Sequence, residues 1–203
     1  LALCSLQMVG KVPSTGLRPT ANDACLAAGL THFTVRHMRC WGRDTFIALH
    51  GLLVATGRFD VAREHILAFA ENVRHGLIPN LLDSARRPRY NTSDAAWWFT
   101  QAVKDYCHTA PEGVELLKVV VRRRFPKDDR YVDPSSDEAY VSPSSLGEIM
   151  HEICQRHANG IHCREWNAGP ELDHAMQDSG FQIDIDTDLA TRLLNGGNAW
   201  NCG

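Results

Sequence analysis

The sequence predicts a mainly α-helical chain whose helices pair as hairpins, with a small β insertion near the C-terminal end. Three observations carry this: several stretches repeat apolar residues at helical spacing, glycines stand just past them, and strand-like alternation sets in after Gly160.

Taken in order, residues 1–40 hold Gly10, Pro13, Gly16, Pro19 and Gly29 with short apolar runs, a lead-in of loop or a couple of strands. From Asp44, the residues Ile47, Leu49, Leu52, Leu53 and Ala55 are dense enough for a buried inner helix that Gly57 ends. After Arg58, Val61, His65, Ile66 and Phe69 share a helical face, Arg63, Glu64, Glu71 and Asn72 lie on others, and Gly76 stands where a C-terminal cap belongs. These two helices form an antiparallel hairpin. Leu77 to Tyr90, with Pro79, Pro88 and three arginines, reads as a loop, after which Thr92 or Ser93 caps a helix from Asp94 to about His108. Val114 to Val121 offers a partner helix, against which the β-branched Val119, Val120 and Val121 count. Residues 126–144, rich in proline, aspartate and serine, read as a mobile, solvent-exposed excursion. Ser144 then caps a helix to about Ala158 with an apolar face of Leu146, Ile149, Met150, Ile153 and Cys154, stopped by Gly160. Residues 161–165 and 181–186 alternate as strands do, with a short helix over 171–177 between them. The natural division is a lead-in over 1–40 and a main domain over 41–203.

Composition narrows the function. At 44% hydrophobic and 22% charged residues the chain suits a soluble globular protein with a sizeable core. Its 24 acidic and 21 basic residues leave a net charge of −3, too little field of either sign to point to nucleic acid. No run approaches the ~18 apolar residues of a membrane span, and the first residues lack the basic start of a signal peptide. Seven cysteines without a CxxC pair read as reduced thiols, which points to the cytoplasm. Asn91-Thr92-Ser93 matches a glycosylation acceptor and reads as chance. Ten histidines show no zinc spacing, and neither a GxGxxG turn after a strand, a GxxxxGK[ST] loop nor a GxSxG elbow occurs, so no metal and no cofactor are expected.

The chemistry gathers around tryptophan. All five lie within four residues of an Arg, Asp, Glu or Asn, in the segments Arg39–Asp44, Arg89–Trp98, Arg164–Pro170 and Gly196–Gly203. Such sets suit a sugar, whose hydroxyls meet Asp acceptors and Arg donors while its C–H face packs on an indole. The plainer reading makes Asp44 and Asp94 first-turn acids favoured by the helix dipole, with Trp41 and one of Trp97 or Trp98 in the core. If the two helices lie parallel, both acids arrive at the same end.

In order and spacing, Cys40-Trp41-Gly42-Arg43-Asp44-Thr45-Phe46-Ile47-Ala48-Leu49, His75 through Leu82, Tyr90-Asn91 with Asp94-Ala95-Ala96-Trp97-Trp98, Arg164-Glu165 with Asn167–Pro170, and Gly196-Gly197-Asn198 with Asn201-Cys202-Gly203 form a recognisable series. The series resembles the amylo-α-1,6-glucosidase domain of the glycogen debranching enzyme family, over about residues 30–203. The resemblance implies part of an (α/α)6 toroid of helical hairpins, glucoamylase-like, with sugar at the mouth of the inner ring. It also implies inverting hydrolysis of α-1,6-linked glucose on glycogen or limit dextrin by two carboxyl groups ~6.5–9.5 Å apart, in a parent enzyme that is also a 4-α-glucanotransferase. Arg43 and Asp44 match the pair that grips the terminal glucose, and Trp41, Asn91, Asp94, Trp97, Glu165 and Asn198 complete the expected substrate-binding set. No catalytic residue is assigned: the family's acid and base are expected beyond Gly203, and Asp94 is the one candidate within the chain. Ser93 and His50 stand where the family has arginine. Truncated in this way, the chain is expected to be inactive alone and to self-associate through uncovered apolar faces. The alternative is a catalytically dead glucan-binding or interaction module that keeps the sugar grip; a third reading, a helical scaffold for protein partners, has no sugar affinity.

Overall fold

Where apolar residues recur at helical spacing, helices form. A computed structural model describes residues 1–12, 15–19, 23–29, 31–164 and 182–185. Its α-helices are α1 (Ala2–Met8), α2 (Gly42–Leu49), α3 (Phe59–Ala70), α4 (Ala95–Thr109) and α5 (Leu146–Asn159). Three small antiparallel ladders accompany them: β1 (Val9–Gly10) with β2 (Cys25–Leu26), β3 (Val120–Arg123) with β4 (Ser142–Ser145), and β5 (Ile161–Arg164) with β6 (Gln182–Ile185). The chain is therefore mainly helical with few small sheets, and the alternation after Gly160 is the β5–β6 ladder, Ile161 opposite Ile185. None of the helices described is long and apolar enough to cross a membrane.

The main core lies among α2, α3 and α4. Phe46 meets Phe69 and Phe99 edge to face at 4.9 and 5.0 Å, and Leu49, Leu53, Ile66 and Val103 close around them. Alanines 95, 96 and 102 on the buried face of α4 let its backbone approach α2. A π-helical turn, His50–Val54, prolongs α2; its extra residue per turn brings both Leu53 and Val54 inward, while Ile47 on the opposite face stays 49% exposed. Gly57, at φ 73°, then turns the chain into α3, which completes the expected hairpin.

Elsewhere long-range contacts displace local signals. α3 stops at Ala70, where the Asn72 side chain donates to the Ala68 carbonyl at 2.9 Å. Gly76 is not its cap but a separate turn at φ 73°, pressed so closely on Arg156 that a Cβ would come within 2.7 Å of that side chain. Thr92 and Ser93 do not cap α4: both are buried, and Asp94 holds the N-cap position without a capping bond. The stretch read as a partner helix becomes a 3-10 turn, Gly113–Lys118, followed by β3, as its β-branched residues favour. In α5 the cap is Ser145 in a reciprocal capping box with Glu148, and Cys154 is exposed whereas His157 is buried.

Both stretches read as loops are loops, and residues 126–144 are largely solvent-exposed as expected, but each is anchored at particular points. Asp129 receives the His75 amide and the Arg156 guanidinium, and Arg124, fully buried, donates to the carbonyls of Val132 and Ala85. Leu77, Ile78, Leu81, Leu82 and Ala85 are buried, and Asp83, Ser84 and Ala85 take left-handed φ values of 46°, 53° and 55° in succession. That conformation costs roughly 1–2 kcal/mol per residue, and the Gly16 amide bonded to Ser84 Oγ at 2.9 Å helps hold it. The lead-in contains a helix, α1, where loop or strands were expected, and Leu17, Cys25 and Cys40 join the main core.

Candidate functional site

Three extended pieces meet where α2 begins. The Gly42 amide donates to the Asn80 carbonyl at 2.6 Å, the Leu82 amide to Cys40 at 3.1 Å, and the Asn80 amide to Arg89 at 2.6 Å. Only glycine fits at 42, since a Cβ there would stand 2.1 Å from the Pro79 carbonyl oxygen. The close approach of the Pro79–Asn80 turn to the first turn of α2 brings Asn80 beside the Trp41–Asp44 segment.

A cavity of about 230 Å³ results, lined by Ala28, Phe33, Trp41, Arg43, Asp44 and Asn80. Trp41 is fixed by its Nε1 donating to the Met38 carbonyl at 2.8 Å and by the edge of Phe33, with ring centroids 6.4 Å apart. Arg43 donates from Nε and Nη2 to one oxygen, Oδ1 of Asp94, at 3.0 and 2.9 Å. The starts of α2 and α4 are thus clamped together, and two acids read from separate segments arrive on one side of the molecule. Among the described residues no protein donor takes up the Asp44 carboxylate, which stays exposed at the cavity. Asn91 reaches the cavity at one remove, its Oδ1 accepting from Asn80 Nδ2 at 3.1 Å.

Trp97 and Trp98 are not in the cavity lining and are 45% and 39% exposed, so neither is the core residue expected of one of them. Trp97 instead lies against His157, the rings tilted by 57° with centroids 4.6 Å apart. His50 faces Asp105 at 3.4 Å, and the Ser93 hydroxyl is buried without a partner among the described residues. Glu165, Trp166, Asn198 and Trp200 lie outside the described residues. Asn80, Phe33 and Ala28 were not singled out from the sequence. Asn80 carried a signal as the amide after Pro79, whereas nothing local marked Phe33 or Ala28.

Buried polar groups support the cavity from behind. Arg39, 4% exposed, donates to the carbonyls of Met8, Cys25 and Thr34, stapling the lead-in to the Trp41 segment. His65 accepts the Leu26 amide on Nε2 at 2.8 Å and contacts the Val61 carbonyl through Nδ1, and burial pushes its pKa down to about 4. Cys25 and Cys40 are free, buried thiols in contact; their hydrogen bond lowers Cys25 and, together with full burial, raises Cys40.

An indole, a guanidinium, an open carboxylate and a carboxamide around one cavity suit a neutral polyhydroxylated ring, the chemistry of a carbohydrate-active protein. The family model described as amylo-alpha-1,6-glucosidase matches residues 3–203, and the chain belongs to that family. It is 53% identical over 203 residues to the glycogen debranching enzyme of Saccharomyces cerevisiae, a match that takes in 100% of this chain and 13% of that relative's length.

Proposed function

We propose that this chain forms the glucose-gripping part of an amylo-α-1,6-glucosidase, within a cytoplasmic protein that debranches glycogen and also acts as a 4-α-glucanotransferase. The observation that carries the proposal is the Arg43–Asp94 clamp beside an open Asp44 and a fixed Trp41. With its guanidinium held by Asp94, Arg43 presents a fixed positive edge, while Asp44 is free to accept two neighbouring hydroxyls of the terminal glucose. Trp41 supplies the flat face for the ring's C–H bonds. Asp94 acts as the clamp, and Trp97 lies further out on the same helix for a longer glucan.

On this reading α2 and α3 are one hairpin of an (α/α)6 toroid, and exposed Ile47 and Trp98 are apolar surface through which the isolated chain self-associates. Hydrolysis is inverting and needs an acid and a base besides the clamp; with no residue at the cavity assigned either role, the chain alone is expected to release no glucose from limit dextrin. Calorimetry with glucose, maltose and an α-1,6-branched limit dextrin tests the proposal, with released glucose assayed in the same samples. Asp44→Asn should weaken binding at least about 10-fold, the loss of a charge-assisted hydrogen bond, with an unchanged melting profile. Equal binding by wild type and Asp44→Asn, or no binding by either, overturns the proposal; glucose release by the wild type overturns the claim of inactivity.

A further inference from the structure

Asn80 is held by its backbone before its side chain does anything. Its amide is bonded to the Arg89 carbonyl and its carbonyl to the Gly42 amide, each at 2.6 Å, so the Cα cannot drift relative to α2. Asn80 as a whole is 5% exposed, and it lines the cavity. Its Nδ2 is committed to Asn91 Oδ1 at 3.1 Å. A carboxamide is planar, with nitrogen and oxygen on opposite branches, so fixing the nitrogen also fixes the oxygen. Among the described residues no protein group donates to that oxygen. An acceptor that opens on the cavity without a protein donor is left to a ligand or to water there.

We infer that Asn80 is a sugar-contact residue, its Oδ1 accepting a hydroxyl of the glucose held by Arg43 and Asp44, and that Asn91 is the positioning residue that sets the amide. The inference rests on the proposed glucose site and adds what sets its selectivity. Arg43 donates, Asp44 accepts at the exposed mouth, and Asn80, 5% exposed as a whole, accepts from the cavity wall. A ring must therefore present a hydroxyl hydrogen at one defined position. A site built around such a bond rejects the analogue that lacks the hydroxyl, because the protein acceptor is then left bare.

Glucose and its monodeoxy analogues, titrated into the full chain and followed by amide chemical shifts, provide the test in the wild type, Asn80→Ala, Asn91→Ala and Asp44→Asn. In the wild type, removing one particular hydroxyl should weaken binding roughly 3- to 10-fold, the range for a neutral hydrogen bond. Asn80→Ala should weaken glucose by a similar factor and then show no further loss with that same analogue. Asn91→Ala should weaken glucose about 2-fold while keeping the hydroxyl preference. If Asn80→Ala does not fold, Asn80→Ser, which keeps a polar group but cannot span from Asn91 to a ligand, should behave as Asn80→Ala is expected to. A wild-type pattern of losses in the Asn80 variants overturns the inference, and if Asp44→Asn still loses binding, the glucose site stands without it. Wild-type binding in Asp44→Asn removes the site itself.

Discussion

Two sides of the molecule are held together by opposite means. Among α2, α3 and α4 the contacts are hydrocarbon, with Phe46, Phe69 and Phe99 buried at the centre. Across the lead-in, the 74–90 segment and the 123–132 segment, the fasteners are arginines. Arg39 serves the carbonyls of Met8, Cys25 and Thr34, Arg124 those of Ala85 and Val132, and Arg18 ties the lead-in to Glu64 and Glu71 on and just past α3. The difference follows from the backbone. A helix satisfies its own amides and carbonyls and can offer an apolar face, whereas an irregular segment buried in the fold leaves carbonyls that need donors, and a guanidinium carries five N–H groups. The cavity sits on the seam, with Arg43 and Asp44 on the helical side and Asn80 on the stapled side.

The largest expected effect tests the helical side. Phe99→Ala should cost about 3–5 kcal/mol in denaturant unfolding, as a fully buried phenylalanine leaves a void its neighbours cannot fill. The cost should be the same at neutral and mildly acidic pH, because Phe46 and Phe69 around it do not titrate. A loss below about 1 kcal/mol would mean that this side is not packed as described.

The stapled side should instead respond to acid. His65 has a folded-state pKa of about 4 against 6.5 in the unfolded chain, so between those values the unfolded state binds the extra proton. Its contribution, about 3 kcal/mol by the free energy of a pKa shift, is fully present above pH 6.5 and is lost as pH falls toward 4. His157, lowered by burial, acts in the same sense, and Glu71, raised by burial, acts in the opposite one. His65→Gln retains an acceptor for the Leu26 amide but does not titrate. Stability measured across this range should fall less steeply in that variant than in the wild type, and an unchanged slope would show that His65 is not the group responsible.

This division also explains what the sequence made legible. The α2–α3 hairpin, α4, α5 and the β5–β6 ladder rest on periodicity, a property of neighbours in sequence, and were readable within a residue or two, save the end of α3, which stops at Ala70 and not at a Gly76 cap. The Trp41–Asp44 and Asn91–Asp94 segments could be picked out because aromatic, guanidinium and carboxylate groups stood together at helix starts. What joins them could not. Asn80 is in the cavity because Gly42 leaves room for the Pro79 carbonyl, and Phe33 because it meets Trp41, contacts between residues far apart or with no local pattern. For the same reason the left-handed turn at 83–85 and the anchor at Asp129 inside the exposed 126–144 loop went unread: their partners, Gly16 and Arg124 for the turn and Arg156 for Asp129, are distant in sequence.

The smallest expected effect separates the two kinds of information at a single helix end. Two serines precede α5, and spacing alone pointed to Ser144 as its cap. Pairing with β3 decides otherwise: Ser144 lies opposite Val121 in the ladder and is turned inward, 4% exposed, with its hydroxyl unpartnered. Ser145, one residue on, accepts the Glu148 amide at 3.2 Å and has its own amide bonded to the Glu148 carboxylate at 2.7 Å. Ser145→Ala should therefore cost about 1 kcal/mol, the usual worth of an N-cap. Ser144→Ala should leave stability unchanged or raise it, since it removes a buried hydroxyl that gains no bond by folding. Thermal unfolding of the two variants side by side decides it, and the reverse order of stabilities would mean that helix spacing, not strand register, fixes this end of α5.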